Sequence, residues 1–190
     1  MNGYASSGAD LVPVIKGNGY GFGRGILAGE ASRLGCNRIA IGTVWELGQS
    51  LADFSGEILV LEPFNAVDES AAVQWRQHLE HNADRVIVTV SSIDLASVRA
   101  TGAKNIYLEG KTSLSRFGML HFDMQSLVNF NDLKVLGLSL HLPIAQSTTK
   151  VDATTEISSA FNGATLSKSM TEAWNWIVLY EELSTKFSLP

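Results

Sequence analysis

Lys16 stands where an amine can do chemistry. The stretch 10–25 reads DLVPVIKGNGYGFGRG, and its apolar run from Leu11 to Ile15 leads straight into the lysine. At the carboxyl end of a buried parallel strand, desolvation disfavours the charged ammonium. A lysine so placed is ion-paired, lays its stem along apolar surface, or acts as an amine nucleophile toward a carbonyl. Glycines then recur at every second position: Gly17, Gly19, Gly21, Gly23 and Gly25. They allow positive φ and close backbone approach, as an anionic group resting on backbone amides requires. An amine nucleophile beside a phosphate-ready loop is what pyridoxal phosphate needs.

Other motifs compete for this reading. Gly23, Gly25 and Ala28 spell G-x-G-x-x-A at the opening of a helical stretch. Glu46 follows about twenty positions after Gly25, near the spacing of a nicotinamide dinucleotide fingerprint. Against it, the first strand ends at Lys16, about seven residues ahead of Gly23, whereas the fingerprint wants its first glycine in the tight turn. Gly110-Lys111-Thr112 resembles the tail of a Walker phosphate loop, but Asn105 occupies the place of the leading glycine. His78 and His81 share a helix face without a third ligand, so no metal site is expected.

The elements that must position these residues alternate in type. Apolar strands are expected at 11–15, 38–44, 57–61, 85–90, 105–108 and 133–141. Helical stretches fall at 24–34, 45–54, 67–81, 93–100, 123–130 and 168–187, with Gly35 as a stop and Ser91 or Ser92 as a cap. In the last helix the apolar pattern runs through Trp174, Ile177, Val178 and Tyr180; Trp174 and Trp176 are expected to face a helix-packing core, with exposure as the alternative for Trp176, which sits on the other side. Strands of near-continuous hydrophobicity alternating with helices indicate a parallel α/β sheet. An open doubly wound sheet and a closed barrel both place ligands at the carboxyl ends of their strands. Periodicity alone does not choose between them. Residues 144–167, rich in Ser, Thr and Ala, form a long loop without firm periodicity, of the kind that is functional or disordered.

Composition narrows the classes of function. The 190 residues are 45% hydrophobic, enough for a sizeable core and about one domain. A net charge of −5 argues against nucleic acid or an anionic membrane as partner. No apolar run approaches the ~20 residues that cross a bilayer. The N-terminus shows no secretory pattern. Cys36 is the only cysteine, which excludes an internal disulfide and fits a reducing compartment. A cytoplasmic location is the expectation.

Four segments, in order, bring one family into view. PVIKGNGYGFG (13–23) resembles the N-terminal motif of alanine racemases, V-V-K-A-N-A-Y-G-H-G. RIAIGTVWELGQSL followed by EILVLEP resembles the family's second strand, its following glutamate and its third strand. IYLEGKTSLSRFGM (106–119) resembles H-L-K-V-D-T-G-M-x-R-L-G, and VLGLSLHLPIA (135–145) resembles G-L-M-T-H-F-A. The resemblance spans roughly 10–145 and implies a fold-type III, pyridoxal-phosphate TIM barrel. It also implies roles. Lys16 matches the lysine that forms the Schiff base and acts as one of two bases, and Tyr20 the tyrosine that hydrogen-bonds the cofactor phosphate. Arg116 matches the arginine near the cofactor's phenolic oxygen, and His141 the histidine beneath the pyridine ring. Val14 and Leu61 would line the pocket. The chain departs from the pattern at Phe22, at Lys111, and at Ser113 and Ser115. Glu109 replaces a lysine that becomes carbamylated in many members and could supply the negative charge beside Arg116 directly.

The resemblance thus implies a single partial (β/α)8 domain over 1–190, with about six parallel strands. The initial helix, the last two barrel strands, the C-terminal β domain and its opposite-face tyrosine are expected to be absent. The implied function is a pyridoxal-phosphate-dependent racemase interconverting L- and D-alanine, with a small amino acid as substrate and a homodimer in the full-length family. Activity of this stretch alone is left open. The alternatives are a pyridoxal-phosphate-binding barrel that does not racemise, and an NAD-binding dehydrogenase.

Overall fold

A computed structural model of the chain describes residues 11–127, 130, 132–143, 148–149 and 166–187. Two compact units divide it. The first takes the segments up to Val90, Asp94–Tyr107 and 132–134; the second takes Ser91–Ile93, most of the stretch from Leu108 to Phe130, and the chain from Val135 on.

In the first unit, Val14 meets Ala40 in an isolated parallel bridge. Ile15 N–H donates to the Ala40 carbonyl at 2.8 Å, and Ala40 N–H to the Pro13 carbonyl at 2.8 Å. The expected strand at 11–15 is therefore a single bridge, because Pro13 has no N–H to extend a ladder. After it come α1 (Arg24–Arg33), β1 (Arg38–Ile41), a 3-10 turn (Val44–Glu46), α2 (Leu47–Asp53), β2 (Glu57–Val60), α3 (Glu69–Asn82), β3 (Val86–Val90) and α4 (Leu95–Arg99). β4 (Asn105–Gly110) starts in this unit and finishes in the second. β1 pairs with β2 in parallel register from Arg38↔Glu57 to Ile41↔Val60, and β2 with β3 from Ile58↔Val86 to Val60↔Val88. β3, the sequence VIVTV, is buried at every position, as a parallel strand covered on both faces must be. Asp68 caps α3 by accepting the Ala71 N–H at 2.9 Å. α4 is capped by Asp94, which accepts from Ser97 N–H, and neither Ser91 nor Ser92 holds that place. A carboxylate makes the stronger acceptor for an orphan amide.

The second unit holds the end of β4, α5 (His121–Gln125), β5 (Lys134–Leu140, from Val135 on), the short antiparallel pair β6 (Thr148–Thr149) and β7 (Leu166–Ser167), and α6 (Lys168–Phe187). α5 begins two residues earlier and ends sooner than the expected 123–130. The buried stripe of α6 is Trp176, Leu179 and Leu183, at i, i+3 and i+7. Trp176 thus faces the core, as expected of both tryptophans, while Trp174 is only half-buried and Ile177, from the expected apolar pattern, is exposed. Gly110 explains the choice. A Cβ there would lie 2.8 Å from the Trp176 ring, so only glycine leaves the indole a floor on β4. His121 stacks on the same ring at 3.9 Å. Of the loop expected at 144–167, residues 144–147 and 150–165 lie outside the described residues.

The sheet order is β1-β2-β3-β4-β5, so five strands pair where about six were expected. Each strand follows its predecessor in space without reversal. A dinucleotide-binding sheet reverses its order at the point where the ligand binds, whereas sequential parallel strands are how a (β/α)8 barrel is built. The order selects the barrel.

Candidate functional site

In the first unit, the chain turns out of the Val14–Ala40 bridge at Lys16. Ile15 is fully buried, Val14 is 38% exposed and Lys16 is half-buried, and at Ile15 the backbone already leaves the extended conformation (φ −118°, ψ 21°). The backbone then winds left-handed through Gly17 (φ 60°, ψ 46°), Asn18 (φ 54°, ψ 43°) and Gly19 (φ 65°, ψ 39°), and Tyr20 keeps φ at 54°. An L-residue resists this conformation by roughly 1–2 kcal/mol, while glycine adopts it freely. Of the five alternating glycines, Gly17, Gly19, Gly21 and Gly23 have positive φ, and Gly25 lies inside α1. Asn18 ties the turn to the start of α1. Its carbonyl accepts the N–H groups of Gly21 at 3.3 Å and Gly23 at 3.0 Å, and its side-chain oxygen accepts Arg24 N–H at 3.1 Å.

Glu46 closes the same region. Its Oε1 accepts from Gly17 N–H at 2.9 Å and Arg24 Nη2 at 3.1 Å; its Oε2 accepts from Gly42 N–H at 2.5 Å and Thr43 N–H at 3.2 Å. A carboxylate so engaged has no capacity for a ribose, which removes the acidic member of the dinucleotide fingerprint. Leu61, half-buried, follows β2 and donates its N–H to the Ile41 carbonyl at 3.0 Å. Lys16, Val14, Tyr20 and Leu61 thus belong to one unit, at the end of the Val14 bridge and the carboxyl ends of β1 and β2. Tyr20 is 61% exposed. Among the described residues of this unit, the Lys16 amine has no ion-pair or hydrogen-bond partner.

The second unit carries Glu109, Arg116 and His141. Glu109 lies near the end of β4 and is fully buried; His141 directly follows β5. His141 Nδ1 is 3.1 Å from Glu109 Oε1, and Arg116 Nη1 is 3.3 Å from His141 Nε2. A guanidinium only donates, so Nε2 is the acceptor and the ring proton sits on Nδ1, directed at Glu109. Thr112 Oγ1 donates to the His141 carbonyl and fixes the backbone behind the ring. Burial pushes the Glu109 carboxyl above its ordinary range, against the hydrogen bond from His141 and the charge of Arg116. Its Oε2 is buried without a hydrogen-bond partner among the described residues. Arg116 itself is exposed.

Sequence reasoning missed what Glu46 does. The signal was present: Thr43-Val44-Trp45-Glu46 is the S/T-x-x-E pattern of a capping box, which ties a glutamate to nearby backbone amides.

A family model described as alanine racemase, N-terminal domain, matches residues 1–172. No curated protein sequence matches the chain. Among solved structures, the chain is similar to alanine racemase of Clostridium difficile 630 in complex with cycloserine. There the TM-score is 0.66 at 14% identity, over 93% of this chain and 45% of that one. It is similar to an alanine racemase of Bartonella henselae with covalently bound pyridoxal phosphate, with TM-score 0.59 and 20% identity over 82% of this chain and 46% of that one. With alanine racemase of D-cycloserine-producing Streptomyces lavendulae the identity is 26% and the TM-score 0.55, over 70% of this chain and 36% of that one. The fold is that of a partial racemase barrel, and the chain spans less than half the length of these relatives.

Proposed function

The chain belongs to the alanine racemase N-terminal-domain family, and on that premise we propose that it holds pyridoxal phosphate on Lys16 as the barrel portion of an amino-acid racemase. The observation that carries this reading is the setting of Lys16. A half-buried amine, without an ion-pair partner among the described residues of its unit, leads into a left-handed glycine turn. The turn leaves room for a cofactor: Gly17 and Gly21 have open space where a Cβ would stand. Lys16 and Tyr20 would hold the group, with Val14 and Leu61 beside it.

When bound, pyridoxal phosphate supplies an electron sink that makes the Cα proton of an amino acid acidic. Lys16 then moves that proton on one face. A lysine amine is the side chain that bonds the carbonyl carbon of such a cofactor. Glu109 accepts a hydrogen bond from Nδ1–H of His141 and holds the ring so that Nε2 meets Arg116, leaving the remaining guanidinium donors for an anionic group. Return of a proton on the opposite face needs a second acid–base group, which this reading places in the part of the relatives that the chain does not span. A small amino acid is the proposed substrate.

The test is chemical trapping. The chain is incubated with pyridoxal phosphate, reduced with borohydride and mapped by peptide mass. The expected result is a reduced adduct on Lys16 that is lost in Lys16→Ala. An adduct spread evenly over surface lysines, or none at Lys16, refutes the reading. Exchange of the alanine α-proton for deuterium without inversion would identify a single working face.

A further inference from the structure

We propose that Glu46 is the positioning residue for the Lys16 amine, an inference that rests on Lys16 being the cofactor lysine. Glu46 touches no reacting atom; it acts through the backbone. The Gly17 N–H it accepts belongs to the peptide group joining Lys16 to Gly17. Pinning that amide fixes the peptide plane that follows Lys16, so the lysine's Cα is held by the bridge on one side and by Glu46 on the other. The other oxygen of the same carboxylate holds the Gly42 and Thr43 amides at the end of β1. One side chain therefore ties the lysine's own peptide group to the strand beside it.

Packing at Gly42 supports the same geometry. A Cβ on Gly42 would stand 2.8 Å from Glu46 Oε2 and 3.2 Å from the Lys16 Cβ. The lysine stem, the strand end and the carboxylate converge over a residue that must lack a side chain. Beyond Gly17, the non-glycine residues Asn18 and Tyr20 hold left-handed conformations. Such backbone persists only where its surroundings over-determine it, and Glu46 anchors the entrance to that turn.

The chemistry requires a carboxylate. Glu46 receives four donors, two at each oxygen, and an ionised carboxylate is acceptor-only at both. Glutamine has nearly the same shape, but its NH2 group must face N–H donors at one of the two positions. Glu46→Gln thus removes half of the clasp and leaves the packing.

The experiment uses the full chain as wild type, Glu46→Gln and Asp68→Ala. The last removes a helix cap on α3 and controls for general destabilisation. Each is reacted with pyridoxal phosphate below its thermal transition, reduced and peptide-mapped. Lys16 labelling should fall about tenfold in Glu46→Gln, the low end of what losing an orienting partner costs a site. It should stay at the wild-type level in Asp68→Ala, with Lys104 and Lys134 unchanged in all three. Amide exchange at Gly17, measured without cofactor, should quicken in Glu46→Gln alone. Equal Lys16 labelling in wild type and Glu46→Gln, an equal loss in Asp68→Ala, or unchanged exchange at Gly17 overturns the proposal. A wild-type chain unlabelled at Lys16 overturns the cofactor reading first, and this inference with it.

Discussion

Alanine placed at Gly17 and, separately, at Gly19 measures how much of the turn after Lys16 depends on glycine. Both positions are left-handed, with φ of 60° and 65°. Each substitution costs about 1–2 kcal/mol for the conformation itself. Against that, alanine restricts the unfolded chain and returns about 0.4–1 kcal/mol. At Gly17 nothing lies within 4 Å of the new Cβ, so the net loss is about 1 kcal/mol. At Gly19 the Cβ meets Leu27 Cδ1 at 2.9 Å and Cγ at 3.3 Å. Leu27 is half-buried and can turn its methyl aside, so the clash falls at the low end of overpacking, about 1 kcal/mol more. For a chain of this length, 1 kcal/mol moves Tm by roughly 2–4 °C. Thermal unfolding followed by circular dichroism should therefore show Tm lower by about 3 °C for Gly17→Ala and about 6 °C for Gly19→Ala. Gly17→Asn should lose less than Gly17→Ala, since the asparagine side chain tolerates this region. A Gly17→Ala protein as stable as wild type would mean the turn is not left-handed at that residue. Equal losses at the two positions would mean that Leu27 does not lie over Gly19.

Trp176→Ala should cost about 3–5 kcal/mol in urea unfolding, because the indole is 1% exposed and is seated between Gly110 and His121; a loss under about 1 kcal/mol would contradict that burial. Glu109→Gln should stabilise the fold at neutral pH. Burial raises the Glu109 pKa on folding, so its ionised form opposes folding above that raised pKa and the opposition vanishes as the carboxyl protonates at lower pH. The gain of the glutamine variant should shrink as pH falls from neutrality through the carboxylate range. A gain that grows on acidification reverses the sign and refutes the reasoning.

The barrel was half legible in the sequence. Strands 38–44, 57–61, 85–90, 105–108 and 133–141 could be found because buried parallel strands are written as continuous apolar runs, and VIVTV at β3 is unambiguous. Barrel and open sheet share that writing. They differ in which strands become neighbours, a long-range property that no local window encodes. The first strand was overextended because its hydrophobicity outweighed the missing donor of Pro13. Whether Trp176 was buried or exposed could not be settled from the helical pattern of α6 alone. The deciding feature, a glycine on β4 that accommodates an indole, lies sixty-six positions away in the sequence.

The site shows the same division. Lys16 was legible because a lysine after an apolar run is chemically anomalous, and its glycines because their spacing is regular. Arg116 and His141 are ordinary residues on their own; the resemblance singled them out, with Glu109 beside Arg116, and the folded chain places the three within hydrogen-bond reach. Glu46 is the instructive case. Counting from Gly25 put it at the place of an acid that binds a ribose, and the count was correct. The folded chain uses the carboxylate on Gly17, Arg24, Gly42 and Thr43 instead. Spacing fixes how far apart two residues are in the chain, but hydrogen-bond capacity decides what an acid can do. A carboxylate already given four donors holds the lysine's backbone in place and has nothing left for a ligand.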